Sequence, residues 1–156
     1  NKATEPAQRS GLSSLPPTFE SLIVGSGVVS TQQWKDATEF ASRTGTSTSD
    51  ALLEMKYATA EQIAQVTANA YRLPYIDLKV AAIDEDVIEL VPESVARENV
   101  ILPVADEGDA LTIAMSDPAD MATVEKLRFI LGREIRTVVA SREAIMAAIN
   151  ERYGQT

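Results

Sequence analysis

The side chains most used for catalysis are missing from this sequence: its 156 residues include no His and no Cys. That removes the imidazole general base, the thiolate nucleophile, the disulfide and any metal site built on nitrogen or sulfur ligands. A Ser-His-Asp triad is impossible, and the nucleophile-elbow pattern GxSxG does not occur. The phosphate-cradling pattern GxxxxGK[ST] is also absent, so this chain holds no ATP-binding loop of that kind. Gly25-Ser26-Gly27 is the one glycine pair in a plausible turn. It lacks the third glycine of a dinucleotide fingerprint and no strand precedes it, so it reads as a helix end and tight turn. Asp84-Glu85-Asp86 has neither the glycine nor the distal glutamate of a calcium loop, and reads as a helix start favoured by the macrodipole. Asp106, Glu107 and Asp109 fall in an expected hairpin turn, where solvation is the simplest reading, and nothing marks any carboxylate pair for glycoside chemistry. Arg128, Arg133, Arg136 and Arg142 lie in one short stretch and could form an anion or partner site. Pairing with Glu125, Glu134 and Glu143 is the simpler expectation. No catalytic or metal-binding residue therefore emerges.

The elements that would carry any site follow from composition and period. Lys and Arg number 14 against 23 Asp and Glu, giving a net charge of −9 that repels phosphate backbones and argues against a nucleic-acid partner. No run of about 18 apolar residues is present, so no direct membrane insertion is expected. The length suits one domain or two small ones. Residues 1–17 are rich in Ser, Pro and Ala without sustained period and read as a flexible linker. Residues 18–73 are helical in pattern, and residues 74–156 mix strand and helix signals, an α+β arrangement. Charge shifts at the same place: residues 1–78 carry 6 basic and 8 acidic side chains, residues 79–156 carry 8 and 15.

The helical half repeats at one fixed offset, the step from Ile23 to Leu52. Ile23-Val24 corresponds to Leu52-Leu53, and Ser30-Thr-Gln-Gln33 to Thr59-Ala-Glu-Gln62. Trp34, Ala37, Thr38 and Ala41 align with Ile63, Val66, Thr67 and Ala70, each set an i, i+3, i+4, i+7 stripe. Because Ile63 fills its repeat position, Trp34 is expected in the core. Ser30 and Thr59 are natural N-caps, with Gln33 and Gln62 at the reciprocal capping-box positions. Phe19, Leu22 and Ile23 supply the buried face of the first short helix, and Ala51, Leu52 and Met55 that of the second. Farther on, Asp84–Val91 predicts a short acidic helix and Pro92 opens another through Glu98. Val100–Val104, Ala110–Met115 and Ile135–Ala140 are strand candidates. Asp117-Pro118 is expected to start a helix with an inward stripe of Met121, Val124, Leu127, Ile130 and Leu131, ended by Gly132. Ser141 caps the last helix, which Tyr153-Gly154 closes.

These residues resemble a known family. The repeat followed by Leu73-Pro-Tyr-Ile-Asp-Leu78 is similar to the N-terminal domain of type II secretion and type IV pilus assembly ATPases, the GspE N-terminal or MshEN-like family. The likeness continues through Val100–Val104, Leu111–Pro118, Leu127–Gly132, Val138–Ser141 and Ile149–Gly154, about residues 18–154 in all. Some such domains bind cyclic di-GMP through two consecutive motifs of the form RLGxx(L/V)(L/V)xxG…LxxxLxxQ. The first copy here keeps Ile23-Val24, Gly27, Val28-Val29 and Trp34, but Thr18-Phe19-Glu20 replaces RLG and Ala41 the closing Gln. In the second copy Ser47-Thr48-Ser49 replaces RLG, Lys56 the inner Gly and Ala70 the Gln. The resemblance thus leaves remnant ligand positions at Ile23, Val24, Gly27, Leu52 and Leu53. An anionic dinucleotide needs donors such as Arg, and Glu20 opposes it.

What the resemblance implies is a non-catalytic docking and regulatory domain, cytoplasmic and brought to the inner-membrane face by its partners. It would couple an ATPase domain, following in cis, to the cytoplasmic domain of an inner-membrane platform protein, with no cofactor of its own. A cyclic di-GMP-binding regulatory domain, or the front domain of a glycosyltransferase, is the alternative.

Overall fold

The computed structural model describes residues 18–153; the linker expected over 1–17 and the closing Gly154 lie outside them. The described chain divides into two compact units, one ending at Thr59 and the other beginning at Ala60.

The first unit contains α1 (Thr18–Gly25), α2 (Thr31–Thr44) and α3 (Thr48–Glu54). Ser30 and Gln33 form the expected capping box: Gln33 N–H donates to Ser30 Oγ at 3.0 Å, and Ser30 N–H donates to Gln33 Oε1 at 2.9 Å. Gly45, in the left-handed conformation, ends α2 and donates its N–H to the Ala41 carbonyl. Ser47 caps α3 by accepting from Asp50 N–H at 3.0 Å. Phe19, Ile23, Ala37, Ala51 and Leu52 are wholly buried, and α2 packs on α3. Trp34, expected in the core, is half-buried with its ring centroid 5.9 Å from that of Phe19. Part of the ring therefore stays in contact with water, unlike the buried Ile63 at the matching repeat position.

The second unit runs α4 (Ala60–Tyr71), α5 (Glu85–Ile88), α6 (Glu93–Asn99), β1 (Ile101–Asp106), β2 (Ala110–Met115), α7 (Met121–Leu131), β3 (Glu134–Val139) and α8 (Arg142–Tyr153). Although the sequence repeat pairs α4 with α3, α4 gives Ala64 and Ala68 to a cluster around Val139, flanked by Leu73 and Tyr75. The three strands form one sheet, with β2 antiparallel to β1 and parallel to β3. Every β2 residue is buried, which is why Ala110–Met115 is an unbroken apolar run instead of an alternating one. In β1 the register slips between Pro103 and Ala105; proline lacks a ladder donor and is tolerated on such an edge strand. On the other edge, β3 exposes Glu134 and Arg136. Among the described residues, it is the end of this edge that pairs with a further segment: Val139 N–H donates to Pro74 O at 2.8 Å and Ile76 N–H to Val139 O at 2.9 Å. The α+β expectation therefore holds, with eight helices and a three-stranded sheet among the described residues.

The core joins Ile101, Leu102, Leu111, Ile113, Leu127, Ile145 and Ile149, all wholly buried. The C-terminal helix is fastened to the α5–α6 segment by polar contacts at its end. Tyr153 Oη lies 2.8 Å from Val91 O and 3.1 Å from Ile88 O, Arg152 donates to Ile83 O at 3.2 Å, and Arg97 donates to Asn150 Oδ1 at 2.8 Å. Burial, and secondarily the charge of Glu93, pushes the Tyr153 phenol up to about 12.

Two expectations for α7 need correction. Asp117-Pro118 does not open the helix: Asp117 accepts from Ala119 N–H in a turn, and Asp120 is the true cap, accepting from Thr123 N–H at 3.1 Å and Thr123 Oγ1 at 2.6 Å. Met121 and Ile130 are not inward; they are 56% and 46% exposed. At about 100° per residue those two positions fall on opposite sides of the helix. The sheet covers only the sector between them, burying Val124 and Leu127 and half-burying Leu131.

Candidate functional site

The tandem motif positions occupy two turns, each leading out of a short helix. After α1, Ser26 N–H donates to Leu22 O (2.9 Å), Gly27 N–H to Val24 O (3.0 Å) and Val29 N–H to Ile23 O (3.4 Å). After α3, Met55 N–H donates to Ala51 O (2.9 Å), Lys56 N–H to Leu53 O (3.1 Å) and Ala58 N–H to Leu52 O (3.4 Å). Every donor and acceptor in the second set is the repeat counterpart of one in the first, so the sequence repeat is a backbone repeat. It reaches the dihedrals: Gly27 has φ 85° and Lys56 has φ 62°. Lys56 keeps the left-handed turn that glycine makes easy, at a steric cost to its own Cβ.

The five remnant positions have different surroundings. Ile23 and Leu52 are wholly buried anchors, Val24 and Leu53 are half-buried, and Gly27 is exposed. The Ile23 carbonyl also accepts from Ser26 Oγ at 3.1 Å. Around them the polar complement for an anion is thin. Glu20 is exposed, Ser47 is spent as the α3 cap, and Thr48 and Ser49 are half-buried. Ala41 is buried and Ala70 half-buried where the motif would carry Gln. Charged side chains among the described residues up to Thr59 are Glu20, Asp36, Glu39, Asp50 and Glu54 against Lys35, Arg43 and Lys56, with no arginine in either turn. These turns offer shape and backbone more than charge.

The arginine cluster in the second unit is a separate arrangement. Arg128 donates to Glu125 at 2.7 Å and lies 3.5 Å from Glu134, as expected. Arg133 and Arg136 do otherwise, and the Asp106 group is not simply solvated. Arg133 Nη2 donates to Asp106 Oδ1 and to the carbonyls of Gly108 (3.0 Å) and Ala110 (3.3 Å), while Arg136 lies 3.9 Å from Asp109. Hydrogen bonding from Arg133, then from Gly108 N–H, holds the Asp106 carboxyl below the usual range. The side chain of Arg133 is thus a strut for the β1–β2 turn, already engaged with its own chain. Among the described residues, no group of three or more acidic side chains could hold a metal ion, and no helix is long and apolar enough to cross a membrane.

Sequence reasoning missed Phe129, which α7 leaves 88% exposed beside Lys126 and Ile130. A signal was available: Phe129-Ile130-Leu131 places three large apolar residues in a row, more than one helix face can bury.

Comparison with known proteins bears on both units. The MshEN domain profile matches residues 71–156. The type IV pilus assembly ATPase PilB of Myxococcus xanthus is 34% identical over 134 residues, 86% of this chain and 24% of PilB, so the chain spans about a quarter of that relative. A solved structure of MshE with c-di-GMP is 32% identical and superposes with a TM-score of 0.74, covering 86% of this chain and 98% of that one. The N-terminal domain of XpsE, at 16% identity and a TM-score of 0.68 over 97% of this chain and 98% of that one, shares the fold. This chain therefore belongs to the MshEN domain family and is similar to part of a type IV pilus assembly ATPase.

Proposed function

We propose that this chain is a non-catalytic docking and regulatory domain. In this reading it couples a secretion or pilus assembly ATPase to the cytoplasmic domain of an inner-membrane platform protein. The catalytic domain lies in cis, and the whole assembly works in the cytoplasm at the inner-membrane face. The observation that carries this reading is the state of the tandem turns: both backbones are kept, while the polar positions hold Glu20, a spent Ser47, Ala41 and Ala70. A scaffold kept without its anion-binding side chains is suited to holding a surface for another protein. Titration of the purified chain with a platform protein's cytoplasmic domain in a calorimeter should give saturable heat. No heat at high protein concentration refutes the reading. In the gene beyond Thr156, a GxxxxGK[ST] motif supports the ATPase host, and a glycosyltransferase pattern replaces it.

Cyclic di-GMP sensing is the second reading, favoured by the likeness to MshE with c-di-GMP and by the matched left-handed turns at Gly27 and Lys56. There the dinucleotide would rest on the two turns, against Val24, Gly27 and Leu53 above the buried Ile23 and Leu52. Because neither turn carries an arginine to offset desolvation of the phosphates, the docking reading predicts no thermal shift on adding cyclic di-GMP. Micromolar or tighter binding would establish the sensor instead.

A further inference from the structure

We propose that the last turn of α8 is a latch on α5. While seated it keeps residues 83–91 folded, and when drawn away it lets that segment open ahead of the rest of the second unit. The hydrogen bonds of this turn fall where the segment changes direction. Arg152 donates to Ile83 O, just before α5, at 3.2 Å. Tyr153 Oη reaches Ile88 O, on the last residue of α5, and Val91 O, just before the α6 cap Pro92. One turn earlier, Asn150 accepts at 2.8 Å from Arg97, which Glu93 holds at 2.7 Å.

The two sides of the latch differ in how well they hold their own shape. α5 is a single turn of four residues, far below the length at which a helix is stable alone. Asp84 stands at its N-cap without a side-chain cap bond, and Pro92 supplies none to α6. Val87, Ile88 and Val91 anchor the segment in the core, but burying side chains does not satisfy the carbonyls of the turns between them. α8 is better provided. It has twelve residues, Ser141 Oγ accepts from Ala144 N–H at 3.0 Å, and Ile145 and Ile149 are wholly buried. When the contacts part, α5 is therefore the side that loses its fold.

Arg152 and Tyr153 are the last two residues of α8, so a turn or pull on the chain that follows reaches the latch first. The segment answers on a surface where Asp84, Glu85, Asp86, Glu89 and Leu90 are exposed, and opening it disperses that acidic face. With a catalytic domain in cis, as in the reading above, the face would register that domain's position. What moves α8 rests on that reading; the latch itself does not.

Peptide-resolved hydrogen exchange on the whole chain reads the latch. In wild type, residues 84–91 should exchange ahead of β2 and of residues 144–149 in α8. Tyr153→Phe should quicken 84–91 roughly fivefold, the loss of about one hydrogen bond, and Arg152→Gln should act in the same direction. Ser141→Ala weakens the other end of α8, so it should quicken α8 and leave 84–91 unchanged. Equal protection of 84–91 and β2 in wild type overturns the latch, because the segment then opens only with the whole unit. So does unchanged exchange over 84–91 in Tyr153→Phe, or a rise there in Ser141→Ala as large as in Tyr153→Phe. If the variants behave as expected but the gene beyond Thr156 encodes no ATPase domain, the latch stands and the account of what moves it falls. If a platform cytoplasmic domain binds while Tyr153→Phe leaves exchange unchanged, docking stands and the latch falls.

Discussion

Gly27 and Lys56 occupy the same turn in two copies, yet substitutions there should have opposite signs. At Gly27 a new Cβ would meet nothing within 4 Å, so Gly27→Ala tests the backbone alone. The φ of 85° lies beyond the usual left-handed value near 57°. Forcing an L-residue into that region costs about 1–2 kcal/mol, and the stiffer unfolded chain returns about 0.4–1 kcal/mol. The net expectation is a loss of about 0.5–1.5 kcal/mol. Lys56 already bears the left-handed cost at φ 62°, so Lys56→Gly removes it while loosening the unfolded chain, for a net gain of up to about 1 kcal/mol. Lys56→Ala keeps the same backbone cost and should be neutral within about 0.5 kcal/mol. Urea denaturation followed by circular dichroism reads all three, with an unchanged slope required before midpoints are compared. If Gly27→Ala is neutral, or if Lys56→Gly destabilises by as much as Gly27→Ala, the two turns are not mechanically equivalent and the backbone repeat has been misjudged.

Other expectations follow from the polar contacts. Tyr153→Phe leaves two carbonyls without their donor and should cost about 1 kcal/mol in chemical denaturation. The Tyr153 phenol titrates higher in the folded state than in the unfolded one. The stability it contributes is complete below about pH 10 and is lost as pH rises toward 12, a decline that Tyr153→Phe should flatten in an alkaline melting series. Asp106 has the opposite sign: its lowered folded value contributes stability that is lost as pH falls through its titration. Asp106→Asn should remove that acid dependence and Arg133→Gln the larger part of it, since Gly108 N–H still donates to the carboxylate; the double variant should match Asp106→Asn. Ser30→Ala dismantles the α2 capping box and should cost about 0.5–2 kcal/mol, read in the same urea series.

Period and punctuation made most elements legible. The Ser30–Gln33 box, the apolar run of Ala110–Met115 and the stop at Gly132 each signal through a local mechanism, and all three form as expected. The start of α7 was illegible because Asp117 and Asp120 are both good caps, and the choice between them depends on how the chain leaves β2. Val100, expected as the first strand residue, instead ends α6 at φ 53°. A β-branched side chain is a poor candidate for that conformation, and only the tertiary path into β1 selects it. The arginine pairings were half legible for a similar reason: Arg128 meets a neighbour in sequence, whereas Arg133 reaches far back along the chain to Asp106. For the candidate site, the scaffold was readable in the fixed offset of the helical repeat. That Ile23 and Leu52 are sealed in the core, and that Ser47 is committed to a cap, required coordinates.

The free side of β3 has a consequence for handling the protein at high concentration. Beyond the short pairing at Val139, that strand has no further strand partner among the described residues and presents a row of backbone donors and acceptors, the geometry through which sheets of separate molecules fuse into aggregates. Glu134 and Arg136 stand exposed along it and interrupt its apolar run with charge, the role of gatekeepers on an edge strand. Neutralising both would leave a strand with Ile135, Thr137, Val138 and Val139 and no charge to interrupt it, the composition of an aggregation-prone segment. The two charges therefore protect solubility whether or not they contribute to the fold.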